Sequence, residues 1–333
     1  MVRQDGPLVS IVSVFHNRVD LVDQSVRSML AQDYPNLEIV IYDDGSTDGT
    51  AEALAAYSDP RLRVVTQPNA GFTATLNRAI RSAAGEIIAL HGSGDITAPQ
   101  RISKQVMALL SGGDVGLAGC LTDRSHGALG PSRKSRPPLS GNIHERSLKG
   151  GMHFTYGASV FWKSTFDEIG GFREFFTLSQ GRDFNLRMPR HQRYIIVPEI
   201  LYTKINPPES ISTSPNKLIL QRYLLDFSVQ CARARDRGEP DPLEKFGPAA
   251  SMLRERSVKV ARQLYTLGLR WLCFGEISGG RQLLRAAADE HPGWRSVAAR
   301  FLIAASRRPA LWRMLLPIVR RLVTRGSVPG AEN

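Results

Sequence analysis

Apolar and polar positions along the first hundred residues change period in a regular way. Leu8-Val9-Ser10-Ile11-Val12-Ser13-Val14-Phe15 is a short β-branched run ending in the polar pair His16-Asn17. Leu21, Val22, Ser25, Val26, Met29 and Leu30 follow at helical spacing. A second apolar run from Leu37 to Tyr42 ends in Asp43-Asp44, and a helix is expected near residues 48 to 57. Leu62 to Val65 reads as a third strand, and the loop Gln67 to Phe72 opens a helix through Leu76, Ala79 and Ile80. Glu86 to Leu90 reads as a fourth strand, ending at His91-Gly92-Ser93-Gly94-Asp95. Strands that alternate with helices in this way build a parallel sheet covered on both faces.

Two adjacent carboxylates at the carboxyl end of a parallel strand sit where open α/β sheets bind ligands. Alternatively, the turn Gly45-Ser46-Thr47-Asp48 caps the next helix through an Asx-type turn, since Ser, Thr and Asp are all good N-caps. Further along, Met152 to Trp162 reads as a strand entered from a loop, and a helix start at Ser164 leads to Ile169-Gly170-Gly171-Phe172. Another helix begins around Arg182-Asp183-Phe184-Asn185-Leu186. A carboxylate such as Asp183 in a first helical turn is favoured by the helix dipole, whatever else it does.

In order and spacing these segments resemble a family 2 glycosyltransferase of the A-type nucleotide-sugar fold. The likeness rests on Val9-Ser10-Ile11-Val12 with Asn17, the turn Asp43 to Asp48, and Asn69-x-Gly71 with Asn77. It continues in Gly85-Glu86 ahead of the Gly92 to Asp95 loop and in Gly170-Gly171-Phe172 ahead of Asp183, and covers about residues 7 to 213. The resemblance implies an α/β chain with a mostly parallel, Rossmann-like sheet and helices on both faces. It also implies an inverting enzyme that moves a sugar from a nucleotide-diphosphate donor, a UDP-sugar foremost, to a glycan or lipid-linked acceptor. The implied donor contacts are Phe15 near the base, Asn17, Asp43 or Asp44 accepting hydrogen bonds from uracil or ribose, Asn69 and Asp95; Arg182 and Lys204 are added as local basic candidates. The implied catalytic base is Asp183, which would deprotonate the acceptor hydroxyl.

One departure from that pattern changes the chemistry. Most members carry an Asp-x-Asp-Asp run that binds a divalent cation, Mn or Mg, against the sugar diphosphate. Here the run reads Gly92-Ser93-Gly94-Asp95, and the position of a metal-holding His reads Asn206. Hard cations need several oxygen ligands, so the set is depleted and no metal ligand is assigned. In one reading the transferase is metal-independent, and Lys204 and Arg182 stabilise the leaving diphosphate. Arg182 stands where the family usually has Glu. In the other, the chain is a catalytically silent nucleotide-sugar or glycan-binding partner in a polysaccharide assembly complex.

The 333 residues divide on pattern into a catalytic domain, 1–215, and a basic helical C-terminal module, 216–333. Of the net charge of +12, nearly all belongs to the second, which holds 21 Lys and Arg against 10 Asp and Glu. Its last stretch, Leu311 to Val323, mixes apolar residues (Trp312, Leu315, Leu316, Ile318) with Arg. It is too charged to span a bilayer, which takes about 20 apolar residues. It suits an interfacial helix on an anionic membrane surface, or a basic cap packed on the catalytic domain. No recognition motif for nucleic acid accompanies the charge. The N-terminus lacks the apolar core of a signal peptide, and Cys120, Cys231 and Cys273 are widely spaced. A cytoplasmic protein, peripheral on the inner face of the membrane, is the expectation. No pair among the seven His has metal-ligand spacing, and His91 and His153 either line the cleft or are merely hydrogen-bonded. Arg124 to Arg146, rich in Gly, Pro, Ser and basic residues, is either an acceptor-side loop or a solvated insertion.

Overall fold

The computed structural model describes residues 6–123, 138–152, 154–205 and 214–325. The chain divides into two units, Met1–Ile205 and Asn206–Asn333. The first opens with β1 (Val9–Phe15), α1 (Val22–Leu30), β2 (Leu37–Asp44), α2 (Thr50–Ala55), β3 (Leu62–Gln67), α3 (Phe72–Ser82) and β4 (Ile87–Gly92). It continues through β5 (Ile96–Thr97), α4 (Arg101–Leu110), β6 (Val115–Asp123), β7 (Ser140–Asn142) and α5 (Ile143–Lys149). β8 (Val160–Trp162), α6 (Lys163–Glu168), α7 (Gln180–Arg187) and β9 (Arg193–Thr203) complete it.

Among the described residues the sheet runs β3-β2-β1-β4-β8-β6-β9-β5, with β7 on β9. β1 pairs parallel with β2 and β4, and β2 with β3. β8 is antiparallel to both β4 and β6, and β9 is parallel to β6. Two reversals restore the direction, so β1, β2, β3, β4, β6 and β9 all point the same way. Their carboxyl ends, Phe15, Asp44, Gln67, Gly92, Asp123 and Thr203, share one edge.

Side chains alternate across each strand, which builds two cores. Val9, Ile11 and Phe15 of β1 pack with Val22, Val26 and Met29 of α1, Leu54 of α2 and Ile102 and Val106 of α4. Val12 and Val14 face the other way, onto Leu76 and Ile80 of α3, Phe166 of α6 and Phe184 of α7. The predicted sheet with helices on both faces is present.

Two expectations are corrected. Met152 to Trp162 is not one strand: Tyr156–Ala158 is a 3-10 turn, and only Val160–Trp162 pairs. The turn is closed by Ala158 N–H to Thr155 O at 2.8 Å and Ser159 N–H to Tyr156 O at 3.1 Å, which removes those amides from a ladder. Arg124 to Arg146 is not loop throughout. Ser140–Asn142 pairs with β9, and Asn142 Oδ1 caps α5 by accepting the Glu145 N–H at 2.9 Å. Residues 124–137 of that segment, together with His153 and Asn206, lie outside the described residues.

The second unit contains α8 (Pro215–Asp236), α9 (Pro242–Phe246), α10 (Val258–Cys273), α11 (Ile277–Glu290), α12 (Trp294–Ser306) and α13 (Pro309–Arg325). Its core gathers Leu269, Leu272, Leu284, Ala299, Leu302, Trp312 and Val319. Leu315 and Leu316 of α13 pack against that core, so most of the apolar set that suited a lipid surface is turned inward. Met314 and Ile318 stay exposed. Among the described residues no helix is long and apolar enough to cross a membrane.

Candidate functional site

The shared carboxyl edge collects polar groups from strands far apart in sequence. At the end of β2, the Asp44 carboxylate accepts from Ala70 N–H at 2.9 Å, Gly71 N–H at 3.0 Å, Thr75 Oγ1 at 2.7 Å and Gln67 Nε2 at 3.1 Å. Burial acts against its charge, but these four donors outweigh it and hold the carboxyl below its ordinary value. Asp43 is fully buried and accepts from its own turn, from the Ser46 hydroxyl and from Ser46 N–H at 3.3 Å. That is the capping geometry of an Asx-type turn. Asn17, held at φ +49°, locks the turn to β1: its N–H donates to Ser46 Oγ and its Oδ1 accepts from Thr47 N–H, both at 2.9 Å. Asn69 Nδ2 and His16 Nδ1 both donate to the Asp44 carbonyl at 2.9 Å.

These contacts make Asp44 the tie between β2 and the Asn69 to Thr75 segment. Asp44→Ala is expected to lower stability by about 1–3 kcal/mol, the cost of leaving charge-assisted donors without their acceptor. Its folded pKa is depressed, so the stabilisation is complete above the unfolded value and disappears as pH falls through the folded one. Wild-type protein should therefore lose stability more steeply than Asp44→Ala below about pH 4. Parallel melting curves for the two proteins across that range would remove Asp44 from this role.

At the end of β4, the Gly92 to Asp95 loop is closed by its own contacts. Tyr202 Oη donates to Asp95 Oδ2 at 2.7 Å, Ile205 N–H donates to Oδ1 at 2.8 Å, and Gly92 N–H donates to Tyr202 Oη at 2.8 Å. Arg101, fully buried, donates to the Leu90 carbonyl at 3.1 Å and lies over the Tyr202 ring at 5.3 Å. Burial pushes the Asp95 carboxyl above its ordinary value, against the pull of Tyr202, Ile205 and the nearby Lys204 charge. His91 does not line the cleft. It is 4% exposed, edge-on to Tyr202 at 5.5 Å, and burial pushes its pKa down to about 3, so it is neutral.

A divalent cation does not fit these residues. Cation ligands must be deprotonated and free to bind; burial disfavours the charged form of Asp95, and both its oxygens already accept hydrogen bonds, from Tyr202 Oη and Ile205 N–H. A Cβ at Gly92 would lie 2.4 Å from Asp95 Oδ2, and one at Gly94 would lie 2.6 Å from Leu21 Cδ1 at φ +86°. The space an acidic pair would occupy is filled by Asp95, Tyr202 and Leu21. Among the described residues no three His, Cys, Asp or Glu are grouped to hold a metal ion.

Asp183, in the first turn of α7, is fully buried between two guanidiniums. Arg173 Nε donates to both carboxylate oxygens, at 3.1 and 3.0 Å, and its Nη2 donates to Oδ1 as well. Arg187 Nε donates to Oδ2 at 3.0 Å, while its Nη1 and Nη2 donate to the Ile169 and Gly171 carbonyls at 2.6 and 2.5 Å. The carboxylate therefore ties α7 to the glycine turn. Ser179, at φ +65°, leads into the helix. In this arrangement neither Asp183 oxygen faces an open cleft.

The structure joins Asn17, Asp43, Asp44 and Asn69 in one hydrogen-bonded cluster, and brings Asp95 and Lys204 together where β4 and β9 end. Arg182 stands half-buried over Gly151. Phe15 is a core residue with no exposed surface, beneath the edge rather than on it. The exposed aromatic there is Phe72, 47% accessible at the first position of α3. Phe72 and the exposed His16 were absent from the expected contacts, although His16 ends the β1 run and Phe72 closes the Gln67 loop. Tyr202, Arg101 and Arg173 carried no signal, because their partners lie 10 or more residues away.

Residues 10–170 match the family described as Glycosyl transferase family 2. EpsE of Bacillus subtilis (strain 168), which carries a glycosyltransferase name, is 35% identical over 108 residues, 31% of this chain and 39% of its own. The Escherichia coli protein named UDP-Glc:alpha-D-GlcNAc-diphosphoundecaprenol beta-1,3-glucosyltransferase WfgD is 33% identical over 107 residues, 32% of this chain and 42% of its own. The chain thus spans about two-fifths of the length of these relatives. Among solved structures, the Pyrobaculum calidifontis mannosyltransferase PcManGT, in complex with GDP-Man and Mn2+, is similar at TM-score 0.54 and 19% identity. That similarity covers 96% of this chain and 86% of PcManGT. Staphylococcus aureus TarS with UDP-GlcNAc matches at TM-score 0.54 and 16% identity, over 96% of this chain and 92% of that one. At such identities the likeness is one of fold.

Proposed function

We propose that this chain, which belongs to glycosyl transferase family 2 through residues 10–170, transfers a sugar from a nucleoside diphosphate donor to a glycan or lipid-linked acceptor with inversion. It does so without a divalent cation in the Gly92 to Asp95 loop. The observation that carries this reading is the single sheet edge on which β1, β2, β4 and β9 end, with acceptors, donors and a cation side by side. A UDP-sugar is the foremost donor, supported by the UDP-GlcNAc in TarS and the UDP-Glc in the name of WfgD. His16, Asn69 and Phe72 face the nucleoside over a floor set by Asn17, Asp43 and Asp44. Lys204 and Arg182 meet the diphosphate, as fixed positive charge aimed at a developing anion can. Asp183 acts as base once acceptor binding draws Arg173 away from it. The setting that goes with a lipid-linked acceptor is the cytoplasmic, inner face of a membrane.

The paired state of Asp183 favours a second reading, a catalytically silent partner that binds a nucleotide sugar or glycan within a polysaccharide assembly complex. A panel of UDP- and GDP-sugars separates the two. Turnover of a UDP-sugar, reduced about 100-fold in Lys204→Ala with unchanged melting, is the expected result. UDP binding without turnover of any donor would establish the silent partner, and no nucleotide binding at all would contradict the transferase and leave only a glycan-binding partner.

A further inference from the structure

The second unit carries an apolar stripe that is more than half exposed, although Trp294 at its start meets Tyr265 of α10 edge-on at 6.0 Å. On α12, Trp294 is 65% exposed, Val297 69% and Phe301 55%. Spacings of three and four residues put the three on one helical face. Ala299 and Leu302, on the opposite side of α12, pack into the module. Both flanks of the stripe are basic. Arg295 lies over the Trp294 ring at 4.4 Å on one side. On the other, Arg300 and Arg307 of the α12 region join Arg285 of α11 around a cavity of about 400 Å3. Asp289, 3.6 Å from Arg300, offsets one of those three charges. The groove keeps a net positive charge beside an apolar ridge.

We propose that this face of α12 and the arginine groove beside it dock on an anionic lipid surface. Trp294 and Phe301 enter the boundary between headgroups and acyl chains, and the three guanidiniums hold lipid phosphates. The pairing of an aromatic ridge with flanking Arg is the chemistry of an interfacial helix. Charge complementarity decides the occupant. Each basic residue near an anionic surface adds to attraction, and residues 216–333 carry 21 Lys and Arg against 10 Asp and Glu. The proposal rests on the membrane setting of the proposed function, and it names the face that meets the membrane: α12 rather than α13, whose apolar side is buried.

Sedimentation of the full chain with vesicles tests it. Binding to phosphatidylcholine vesicles containing phosphatidylglycerol should exceed binding to phosphatidylcholine alone by about tenfold or more. Val297→Ser/Phe301→Ser and Arg300→Glu/Arg307→Glu should each weaken it about tenfold, with UDP binding and melting unchanged. All four positions are exposed, so the variants should fold. Variants that sediment like wild type would overturn the α12 assignment while leaving the membrane setting in place. Wild type that binds no vesicle would overturn both. Two further results would also overturn the proposal: Arg-dependent binding of inorganic pyrophosphate without vesicle binding, or a dimer by light scattering that the Val297→Ser/Phe301→Ser change dissociates.

Discussion

Asp183→Asn should lower the stability of the protein by about 3–5 kcal/mol, the usual cost of removing one partner from a buried ion pair. Arg173 and Arg187 are 16% and 9% exposed, and together they saturate the carboxylate. Asparagine offers one acceptor oxygen, and its amide group would point hydrogens at guanidinium hydrogens. Arg187 keeps its bonds to the Ile169 and Gly171 carbonyls. Arg173, nearer the surface, can turn to water, so the lower half of the range is expected. A second substitution, Arg173→Leu, should recover part of the loss by removing the orphaned charge. Urea unfolding of the single and double variants measures both effects. If Asp183→Asn unfolds like wild type while turnover disappears, the carboxylate is a base first and an anchor hardly at all.

The second large effect concerns the loop that replaces the acidic run. Gly94→Asp should cost roughly 2–4 kcal/mol, combining a non-glycine residue at positive φ with overpacking against Leu21. Manganese should return none of it, because the new carboxylate would point into Leu21 and not toward the edge. Thermal melts of Gly94→Asp with and without manganese would check this. A manganese-dependent rise in melting temperature, absent from wild type, would show that the loop can still assemble a cation site.

Much of the first unit is legible in the sequence because its elements are decided locally. The period changes from Val9 to Asp95 mark strand and helix in turn, and the polar residues that end each apolar run mark the edge of the sheet. The short extent and antiparallel direction of β8 are not legible, although its residues end the strand expected from Met152 to Trp162. Three residues between two long strands have no periodicity, and its turn bonds are made by a backbone that any sequence could supply. The same limit governs the side chains. Asp43, Asp44, Asp95 and Asp183 can be placed at the ends of elements, but whether each carboxylate faces a ligand or a neighbour depends on residues distant in sequence. Thr75 takes up Asp44, Tyr202 takes up Asp95, and Arg173 takes up Asp183. Arg101 is the extreme case, a basic residue at the start of α4 that is wholly buried. In the second unit α12 and α13 are both amphipathic. Only packing decides that Trp312 faces inward while Trp294 faces solvent.

The central claim is that donor binding and transfer are met by fixed protein charge and amides at the sheet edge, with no cation in the Gly92 to Asp95 loop. The most direct measurement is calorimetric UDP affinity, together with turnover of whichever UDP-sugar is accepted, in chelator and then in excess manganese or magnesium. Affinity and rate within about twofold across these conditions are the predicted result, since Asp95 is already committed to Tyr202 and Ile205. Loss of UDP binding and turnover in chelator, restored by manganese, would contradict the account.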